Sequence, residues 1–295
     1  MRKAWQGSIV AIVTPFNIDG SIDYTAFDNL IDFHLENETD GIVVCGTTGE
    51  AATLNKKEYA ELIKHTVDKV NKRVPVIAGS GTNSTSEAIE NSCLSESLGV
   101  DAILVVSPYY NKPTRNGLKD YFSQISKAVN IPIILYNVPG RTAGNIPVDL
   151  VVELANEFEN IAGIKDASGN LEQMACLLRD KPAGFMVFSG DDALAFQAVC
   201  MGASGVISVI ANLIPKEFHD LMNAASQGDL AKTKEIYFKY LRLIQLCFIE
   251  SNPIPVKTGL AIMNKLDEEF RSPMCRMMDE NRKLLVDEMT KLGMV

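Results

Sequence analysis

The sequence predicts an α/β protein, a (β/α)8 barrel of the TIM-barrel class followed by a C-terminal helical segment. Short apolar runs alternate with amphipathic stretches eight times between residues 8 and 226, and eight such units are the number that closes a parallel barrel. The runs are apolar almost throughout, which is typical of parallel strands buried on both faces. No Gly-x-Gly-x-x-Gly motif follows the first run, which disfavours an open nucleotide-binding sheet.

Glycine and proline residues mark the ends of the predicted strands, because both favour turns. Between them lie runs rich in Val, Ile and Leu, such as Gly41–Val44 and Ala102–Val106. β-branched residues of this kind suit strands. In chain order the predicted strands are residues 8–13, 41–44, 75–78, 102–106, 132–136, 161–165, 185–189 and 205–208.

Each predicted strand is followed by a stretch in which apolar residues recur every three or four positions, as expected of a helix with one buried face. These helices are residues 23–37, 56–70, 85–98, 117–129, 148–155, 171–178, 192–200 and 215–226. We expect the barrel domain to span residues 1–228. Residues 229–295 would form a helical extension that packs on the barrel or on a partner subunit, with helices at 230–249, 256–264 and 274–292.

Composition and charge exclude several classes of partner. The chain has 295 residues, of which 46% are hydrophobic and 22% charged, with a net charge of −9. An acidic chain repels nucleic-acid phosphates and anionic lipids, so we expect neither as a partner. An anionic substrate would need local positive charge. No apolar stretch approaches the roughly 20 residues that span a bilayer, and Met1–Trp5 lacks signal- or transit-peptide features, so a cytoplasmic protein is expected.

Cysteine and histidine patterns suggest no metal site and no disulfide framework. The six cysteines, at positions 45, 93, 176, 200, 247 and 275, include no Cys-x-x-Cys pair. We interpret them as reduced core residues of a cytosolic protein. The three histidines, at positions 34, 65 and 219, are isolated and form no His-Glu-x-x-His motif. Core or surface roles are therefore expected for them.

Lys165 is the most informative residue, because it ends an apolar strand that gives way at once to polar and glycine residues. In parallel barrels the active site lies at the C-terminal ends of the strands. An amine held there is poorly solvated, so its neutral form becomes accessible near pH 7. A neutral lysine amine attacks ketones and forms a Schiff base. The alternative is a lysine that reaches solvent or pairs with Asp166.

Glycines bracket the turn Gly46-Thr47-Thr48-Gly49-Glu50, which follows the second strand. Glycines let a ligand approach the backbone closely, and consecutive N–H groups form an anion cradle. The turn contains no lysine and no Walker pattern, so a carboxylate is a better ligand than a nucleotide. A plain tight turn is the alternative.

Tyr136 and Arg141 lie at the end of the fifth strand, next to the strand that carries Lys165. A tyrosine hydroxyl can relay protons to and from a carbinolamine. The arginine is a permanently charged fork suited to a carboxylate. The alternatives are a core aromatic residue and a surface arginine.

Together these residues resemble one family, that of 4-hydroxy-tetrahydrodipicolinate synthase, long called dihydrodipicolinate synthase. Its relatives, which include N-acetylneuraminate lyase, share the glycine-bracketed turn, the tyrosine and the lysine. Arg141 is the feature that we take to separate the synthase from the sugar-acid lyases. The matching runs span nearly the whole chain in order: residues 46–50, 107–110, 136–142, 163–170, 189–192 and 252–257.

The resemblance implies a class I aldolase reaction that requires no metal or organic cofactor. Lys165 would form an imine with pyruvate, and the resulting enamine would attack L-aspartate 4-semialdehyde, the committing step of lysine and diaminopimelate biosynthesis. The carboxylate of the aldehyde would bind Arg141. The remaining implied roles are a pyruvate-carboxylate site at Thr47 and Thr48, a proton relay of Thr48, Tyr136 and Tyr110, and a pocket lined by backbone groups of Gly190 and Ile207.

The resemblance also implies a homo-oligomer, usually a dimer of dimers, in which Tyr110 reaches the neighbouring subunit's site. Some members bind inhibitory lysine in a cleft at that interface. The matching positions are Ala51, Ala52, Lys56, Tyr59, Asn83, Glu87 and Tyr109. Lys56 would place a cation beside a cationic ligand, so we expect weak or absent lysine inhibition.

Two other functions compete with this interpretation. One is a sibling aldolase or lyase that acts on a sugar-derived 2-keto acid and has a polyol-binding mouth. The other is a non-catalytic barrel that senses a small carboxylate. The complete set of lysine and hydroxyl groups argues against the sensor.

Overall fold

The computed structural model describes residues 5–295, which contain a closed barrel of eight parallel strands in sequence order. All eight predicted strands are confirmed, and their ends differ from the prediction by at most two residues. The strands are β1 (Gly7–Ala11), β2 (Gly41–Val44), β3 (Val76–Gly79), β4 (Ala102–Val106), β5 (Ile133–Asn137), β6 (Ile161–Asp166), β7 (Met186–Ser189) and β8 (Gly205–Ser208).

The helices around the barrel also follow the prediction, with most ends within two residues. They are α1 (Tyr24–Glu36), α2 (Lys56–Val70), α3 (Thr85–Ser97), α4 (Arg115–Ala128), α5 (Pro139–Thr142), α6 (Val148–Glu157), α7 (Leu171–Asp180), α8 (Ala195–Cys200) and α9 (Pro215–Ser226). The predicted helix 192–200 divides into a 3-10 turn over Asp192–Leu194 and α8. The sequence did not reveal α5, because four residues are too few for a periodic pattern.

The barrel interior explains how the strands place side chains. Alternate strand residues fill it, among them Ile134, Tyr136, Phe188 and Ile207. Lys165 is paired in register with Tyr136 on one side and Phe188 on the other. Residues paired in register on neighbouring strands point to the same face of the sheet. The Lys165 side chain therefore points into the barrel.

The C-terminal segment forms α10 (Leu230–Leu246), α11 (Ile254–Ile262) and α12 (Asp279–Lys291). α10 packs on α9, and α12 packs on both α10 and α11. The expected packing on the barrel is confirmed, while a division into two domains at residue 228 stays a prediction. The predicted start of α12 at residue 274 was wrong, because residues 274–278 are not helical and Met278, the N-cap, is extended.

The structure also bears on the cysteines and on the expected absence of a membrane span. All six cysteines are free, but Cys93, Cys200 and Cys275 are exposed, so the expectation of core cysteines was wrong for these three. Cys93 of α3 and Cys200 at the end of α8 lie on the solvent side of their helices. No helix within residues 5–295 is long and apolar enough to cross a membrane. Residues 1–4, on which part of the expectation about targeting features falls, lie outside the described residues.

His34 is the fully buried histidine of α1. Its Nδ1 lies 3.0 Å from the Thr39 hydroxyl, and its Nε2 has no hydrogen-bond partner among the described residues. Burial lowers the pKa of His34 to about 3, with a smaller contribution from Lys265. A histidine in the unfolded chain takes up a proton near pH 6.5. The unfolded state therefore binds more protons between pH 6.5 and about 3, and the folded state loses stability as the pH falls through that window.

Replacing His34 by leucine should remove this acid sensitivity. Between pH 7 and pH 5 the wild-type free energy of unfolding should fall by about 2 kcal/mol more than that of His34→Leu. Urea unfolding at both pH values and one protein concentration measures the difference. Thr39→Val is the matched control, since it removes the same hydrogen bond and keeps the histidine. Equal pH slopes for wild type and His34→Leu would contradict the assignment.

Candidate active site

Lys165 lies at the C-terminal end of β6 with 5% of its surface exposed. Its Nζ is 4.5 Å from the centroid of the Tyr136 ring, and it makes no hydrogen bond or ion pair to any of residues 5–295. Asp166 instead accepts bonds from Asn137, Ser168 and Gln173, and burial raises its pKa. Pairing of Lys165 with Asp166 is therefore excluded in this structure, and the amine is left for a ligand.

Gly190 lies directly beside the Lys165 side chain. A Cβ at this position would approach Lys165 Cε to 2.9 Å and Ala167 Cβ to 2.7 Å. A larger residue would therefore displace the lysine stem. Ile207 is fully buried in the barrel interior with Tyr136. Of the two predicted pocket residues, Gly190 therefore lies beside the lysine and Ile207 lies in the barrel interior.

The glycine-bracketed turn after β2 has the shape expected of an anion cradle. The N–H of Gly49 donates to the Gly46 carbonyl at 3.1 Å, and that of Glu50 to the Thr47 carbonyl at 3.1 Å. The N–H groups of Thr47 and Thr48 have no acceptor among residues 5–295. Two adjacent free N–H groups can bind a carboxylate.

The two threonines of this turn differ in their surroundings. Thr47 is half-buried and lines a cavity of about 430 Å³ that Tyr136 and Arg141 also line. Thr48 is buried and does not line this cavity, and its hydroxyl accepts a hydrogen bond from Asn252 Nδ2 at 2.9 Å. The geometry therefore favours Thr47 over the predicted Thr48 as the hydroxyl that faces a substrate.

Arg141 is positioned by the short helix α5, which begins at Pro139. Its side chain is exposed toward the cavity, and its Nη2 donates to the main-chain carbonyl of Asn252 at 3.0 Å. Its other guanidinium N–H groups have no acceptor among residues 5–295. It can therefore bind a carboxylate at the cavity mouth.

Tyr110 is not brought into this site by its own chain. It is 90% exposed and has a positive φ of 68°, whereas Tyr109 lines the cavity. The predicted relay of Thr48, Tyr136 and Tyr110 is thus not assembled within one chain.

The same cavity extends to most of the predicted lysine cleft. Ala51, Ala52, Lys56, Tyr59, Glu87 and Tyr109 line it, whereas Asn83 does not. The ammonium of Lys56 bonds Glu90 at 2.8 Å, which raises the pKa of Lys56. The Tyr59 hydroxyl bonds the Gly79 carbonyl and Ser95. Lys56 and Tyr59 are therefore both engaged by the protein itself.

A buried ion pair behind the turn was missed by sequence reasoning. Lys257 Nζ lies 2.6 Å from Glu50 Oε1, and both side chains are almost fully buried. The same Nζ donates to the Glu269 carbonyl at 2.7 Å and lies 4.4 Å from the Phe16 ring centroid. Burial lowers the pKa of Lys257, and Glu50 opposes that shift. A lysine inside the apolar helix α11 was the signal that a buried acidic partner exists.

Asp192 joins the ends of β7 and β8. Its Oδ2 accepts bonds from the N–H groups of Val209 at 3.0 Å and Ile210 at 2.8 Å. Full burial raises the pKa of Asp192 to about 6. The residue thus holds the loop after β8 beside the loop that contains Gly190.

One group of side chains has the spacing of a cation site. Glu38, His219 and Asp220 lie within 4.8 Å of one another at the surface. Lys216 Nζ already bonds Glu38 at 2.8 Å and Asp220 at 2.9 Å. The two carboxylates are therefore already paired with an ammonium, and His219 Nδ1 lies 2.9 Å from Asp40 Oδ2.

Comparison with known proteins places the chain among named relatives. The model of the Dihydrodipicolinate synthetase family matches residues 4–292. A 4-hydroxy-tetrahydrodipicolinate synthase of Thermodesulfovibrio yellowstonii is 47% identical and covers 99% of each chain. A synthase of the same name from Methanocaldococcus jannaschii is 45% identical over 99% of this chain and 100% of its own.

Solved structures agree with the sequence relatives. A chloride-inhibited dihydrodipicolinate synthase of Acinetobacter baumannii, complexed with pyruvate, superimposes with a TM-score of 0.97 at 43% identity, covering 99% of this chain and 100% of its own. A monomeric dihydrodipicolinate synthase variant has a TM-score of 0.97 at 36% identity, covering 99% and 98%. An enzyme of Cyanidioschyzon merolae with lysine bound has a TM-score of 0.96 at 36% identity, covering 99% and 100%.

Removing the cation of the buried pair should destabilise the fold strongly. Lys257→Met leaves the buried Glu50 carboxylate without its paired cation and with one long hydrogen bond, from the Arg271 N–H at 3.3 Å. We expect a loss of about 3–5 kcal/mol in the free energy of unfolding. The double variant Lys257→Met with Glu50→Gln should recover part of this loss, because no buried charge remains. Denaturant unfolding of the wild type, Lys257→Met, Glu50→Gln and the double variant measures the coupling energy between the two side chains. Additive losses would contradict the pairing.

Proposed function

Because the chain belongs to the dihydrodipicolinate synthetase family, we propose that the site around Lys165 performs the 4-hydroxy-tetrahydrodipicolinate synthase reaction. The enzyme is a lyase of the class I aldolase type that acts in lysine and diaminopimelate biosynthesis. Its substrates are pyruvate and L-aspartate 4-semialdehyde. The observation that carries the residue assignment is the Lys165 amine, buried at the end of a strand and free of any acidic partner among residues 5–295.

Lys165 begins the reaction as the nucleophile. Its neutral amine attacks the keto carbon of pyruvate, and loss of water from the carbinolamine leaves an imine. The pyruvate carboxylate binds the free N–H groups of Thr47 and Thr48, which places the keto carbon beside the amine. We assign the protons of these steps to the Tyr136 hydroxyl. The support is that the Tyr136 ring centroid lies 4.5 Å from the amine.

The imine then acts as an electron sink. Loss of a proton from the pyruvate methyl group gives an enamine, whose carbon attacks the aldehyde of the second substrate and forms the new C–C bond. Arg141 holds the carboxylate of that substrate at the cavity mouth. The amino group of the second substrate next attacks the imine carbon, which releases Lys165 and closes the ring. No step changes the overall oxidation level, so no redox cofactor is required. The imine supplies the electron sink that a metal ion would otherwise provide.

The proton relay is best assigned to Thr47 rather than Thr48. Thr47 lines the same cavity as Tyr136, whereas the Thr48 hydroxyl is engaged by Asn252. We assign Thr48 to the carboxylate cradle through its N–H group. Tyr110 of the partner subunit would complete the relay.

We assign the protein to a homo-oligomer, a dimer of dimers, whose subunits share the site. The support is Tyr110, a large aromatic side chain that is 90% exposed beside the cavity-lining Tyr109. Such a side chain is stabilised when a second subunit covers it. A related monomeric variant is known at 36% identity, so the assembly has to be measured for this chain.

The compartment is proposed to be the cytoplasm. The support is chemical, since six free cysteines, three of them exposed, persist as thiols in a reducing environment.

Replacing Lys165 should abolish turnover while the fold persists. Lys165→Ala removes the nucleophile, and we expect kcat to fall at least about a thousandfold. Borohydride added with pyruvate should label the wild type once, at Lys165, as measured by mass spectrometry. Lys181→Ala is the matched control, because Lys181 bonds the Phe185 carbonyl outside the site. Intact turnover in Lys165→Ala would refute the proposed mechanism.

Subunit mixing should reveal a shared site. When Tyr110→Phe and Arg141→Ala subunits are unfolded and refolded together, a mixed pair contains one site with both wild-type residues. About a quarter of wild-type turnover should return, because half of the pairs are mixed and half of their sites are complete. Lys165→Ala with Arg141→Ala is the control, since both residues come from one chain and no complete site forms. Absence of recovery in the first mixture would argue against sharing.

Lysine should inhibit weakly or not at all, because the Lys56 ammonium occupies the proposed cleft. A lysine titration of turnover is expected to show no clear effect below about 1 mM. Lys56→Gln removes the like charge and should increase the sensitivity to lysine. The Glu90 contact partly neutralises Lys56, so the variant tests whether that charge is the obstacle. Sub-millimolar inhibition of the wild type would overturn the prediction.

A further inference from the structure

Asn252 lies between the two carboxylate-binding parts of the site. Its side-chain Nδ2 donates to the Thr48 hydroxyl at 2.9 Å, and its main-chain carbonyl accepts from Arg141 Nη2 at 3.0 Å. Thr48 follows β2, whereas Arg141 follows β5, and Asn252 comes from the segment between α10 and α11. One residue of the C-terminal segment therefore touches both elements.

The Asn252 side chain is held with little freedom. It is 6% exposed at the wall of the cavity, and the bond to Thr48 is the one hydrogen bond that its amide makes to residues 5–295. The amide Oδ1 is buried without a partner among those residues. An unsatisfied buried acceptor carries a desolvation cost. The position therefore calls for a role beyond packing.

The Thr48 contact acts on the anion cradle. Thr48 is itself buried, so its hydroxyl has no water to replace a lost partner. Its side chain is attached to the backbone whose N–H groups, at Thr47 and Thr48, are free to bind an anion. Fixing the side chain at one end fixes the direction of those N–H groups. Hydrogen-bond strength depends steeply on that direction.

We propose that Asn252 is a positioning residue for the first substrate, acting through Thr48 on the N–H groups that bind the pyruvate carboxylate. The inference rests on the proposed function. It assigns the side chain of Asn252 to pyruvate binding and its main-chain carbonyl to the orientation of Arg141. The two contacts can be separated, because a side-chain substitution removes the first and retains the second.

Substitution of Asn252 should therefore weaken the binding of pyruvate and leave the binding of aspartate semialdehyde nearly unchanged. For Asn252→Ala we expect the pyruvate concentration that gives half-maximal borohydride trapping to rise about tenfold. The KM for aspartate semialdehyde should change by less than about threefold, since the carbonyl still meets Arg141. Asn252→Asp should raise the pyruvate requirement further, because it places a like charge beside the bound carboxylate.

A double-mutant cycle tests whether Asn252 acts through Thr48. Thr48→Val removes the acceptor hydroxyl and should also raise the pyruvate requirement. In that background, Asn252→Ala should add less than about a threefold effect, because the contact is already gone. If the double variant showed the product of the two single-variant increases in pyruvate requirement, the proposal would be overturned. An unchanged pyruvate requirement in Asn252→Ala would overturn it as well.

A control separates positioning from general stability. Asn160 donates to the carbonyls of Ser126 and Val129 at the opposite end of β6 from Lys165. Asn160→Ala should lower the melting temperature and leave the pyruvate requirement unchanged. If Asn252→Ala weakened the binding of both substrates equally, the role of Asn252 would be merely structural and the proposal would be rejected. Failure of the wild type to trap pyruvate would reject the proposed function instead.

Discussion

The buried ion pair of Glu50 and Lys257 is the constraint on which the site depends. It joins the turn after β2 to the helix α11, which lies 207 residues further along the chain. Two charges buried this deeply persist only as a pair, because each alone would lack solvation. The pair therefore forces the C-terminal segment to cover the barrel at the turn that carries Thr47 and Thr48.

This attachment brings further contacts with it. Once Lys257 is anchored, Asn252 reaches Thr48 with its side chain and Arg141 with its carbonyl. The turn proposed to bind one carboxylate and the guanidinium proposed to bind the other are then both held by one short segment. In this proposal the helical extension is part of the substrate site rather than an addition to a complete barrel. Preorganisation of this kind reduces the entropy that substrate binding has to overcome.

The barrel and the reactive lysine could be predicted because their signals are local. Eight apolar runs ending in turns determine eight buried parallel strands, and Lys165 follows one such run directly. The short helix α5 was missed because four residues show no period. The late start of α12 was missed because Met274, Met277 and Met278 continue the apolar pattern of the helix, although the backbone there is not helical. The exposed positions of Cys93 and Cys200 depend on helix orientation, and that of Cys275 depends on the non-helical segment before α12. Composition reports neither.

By itself the sequence determined the kind of chemistry, since a lysine at a strand end, a glycine-bracketed turn and an arginine beyond a tyrosine are all local patterns. Only the tertiary structure put Thr47 at the cavity and Thr48 against Asn252. It also separated Lys165 from Asp166 and placed Asn252 in contact with both Thr48 and Arg141. It also left Tyr110 pointing away from its own chain's site. Such distinctions depend on contacts between residues far apart in the chain, such as Thr48 and Asn252. Tertiary packing determines which of these polar groups are buried and which partners they bond.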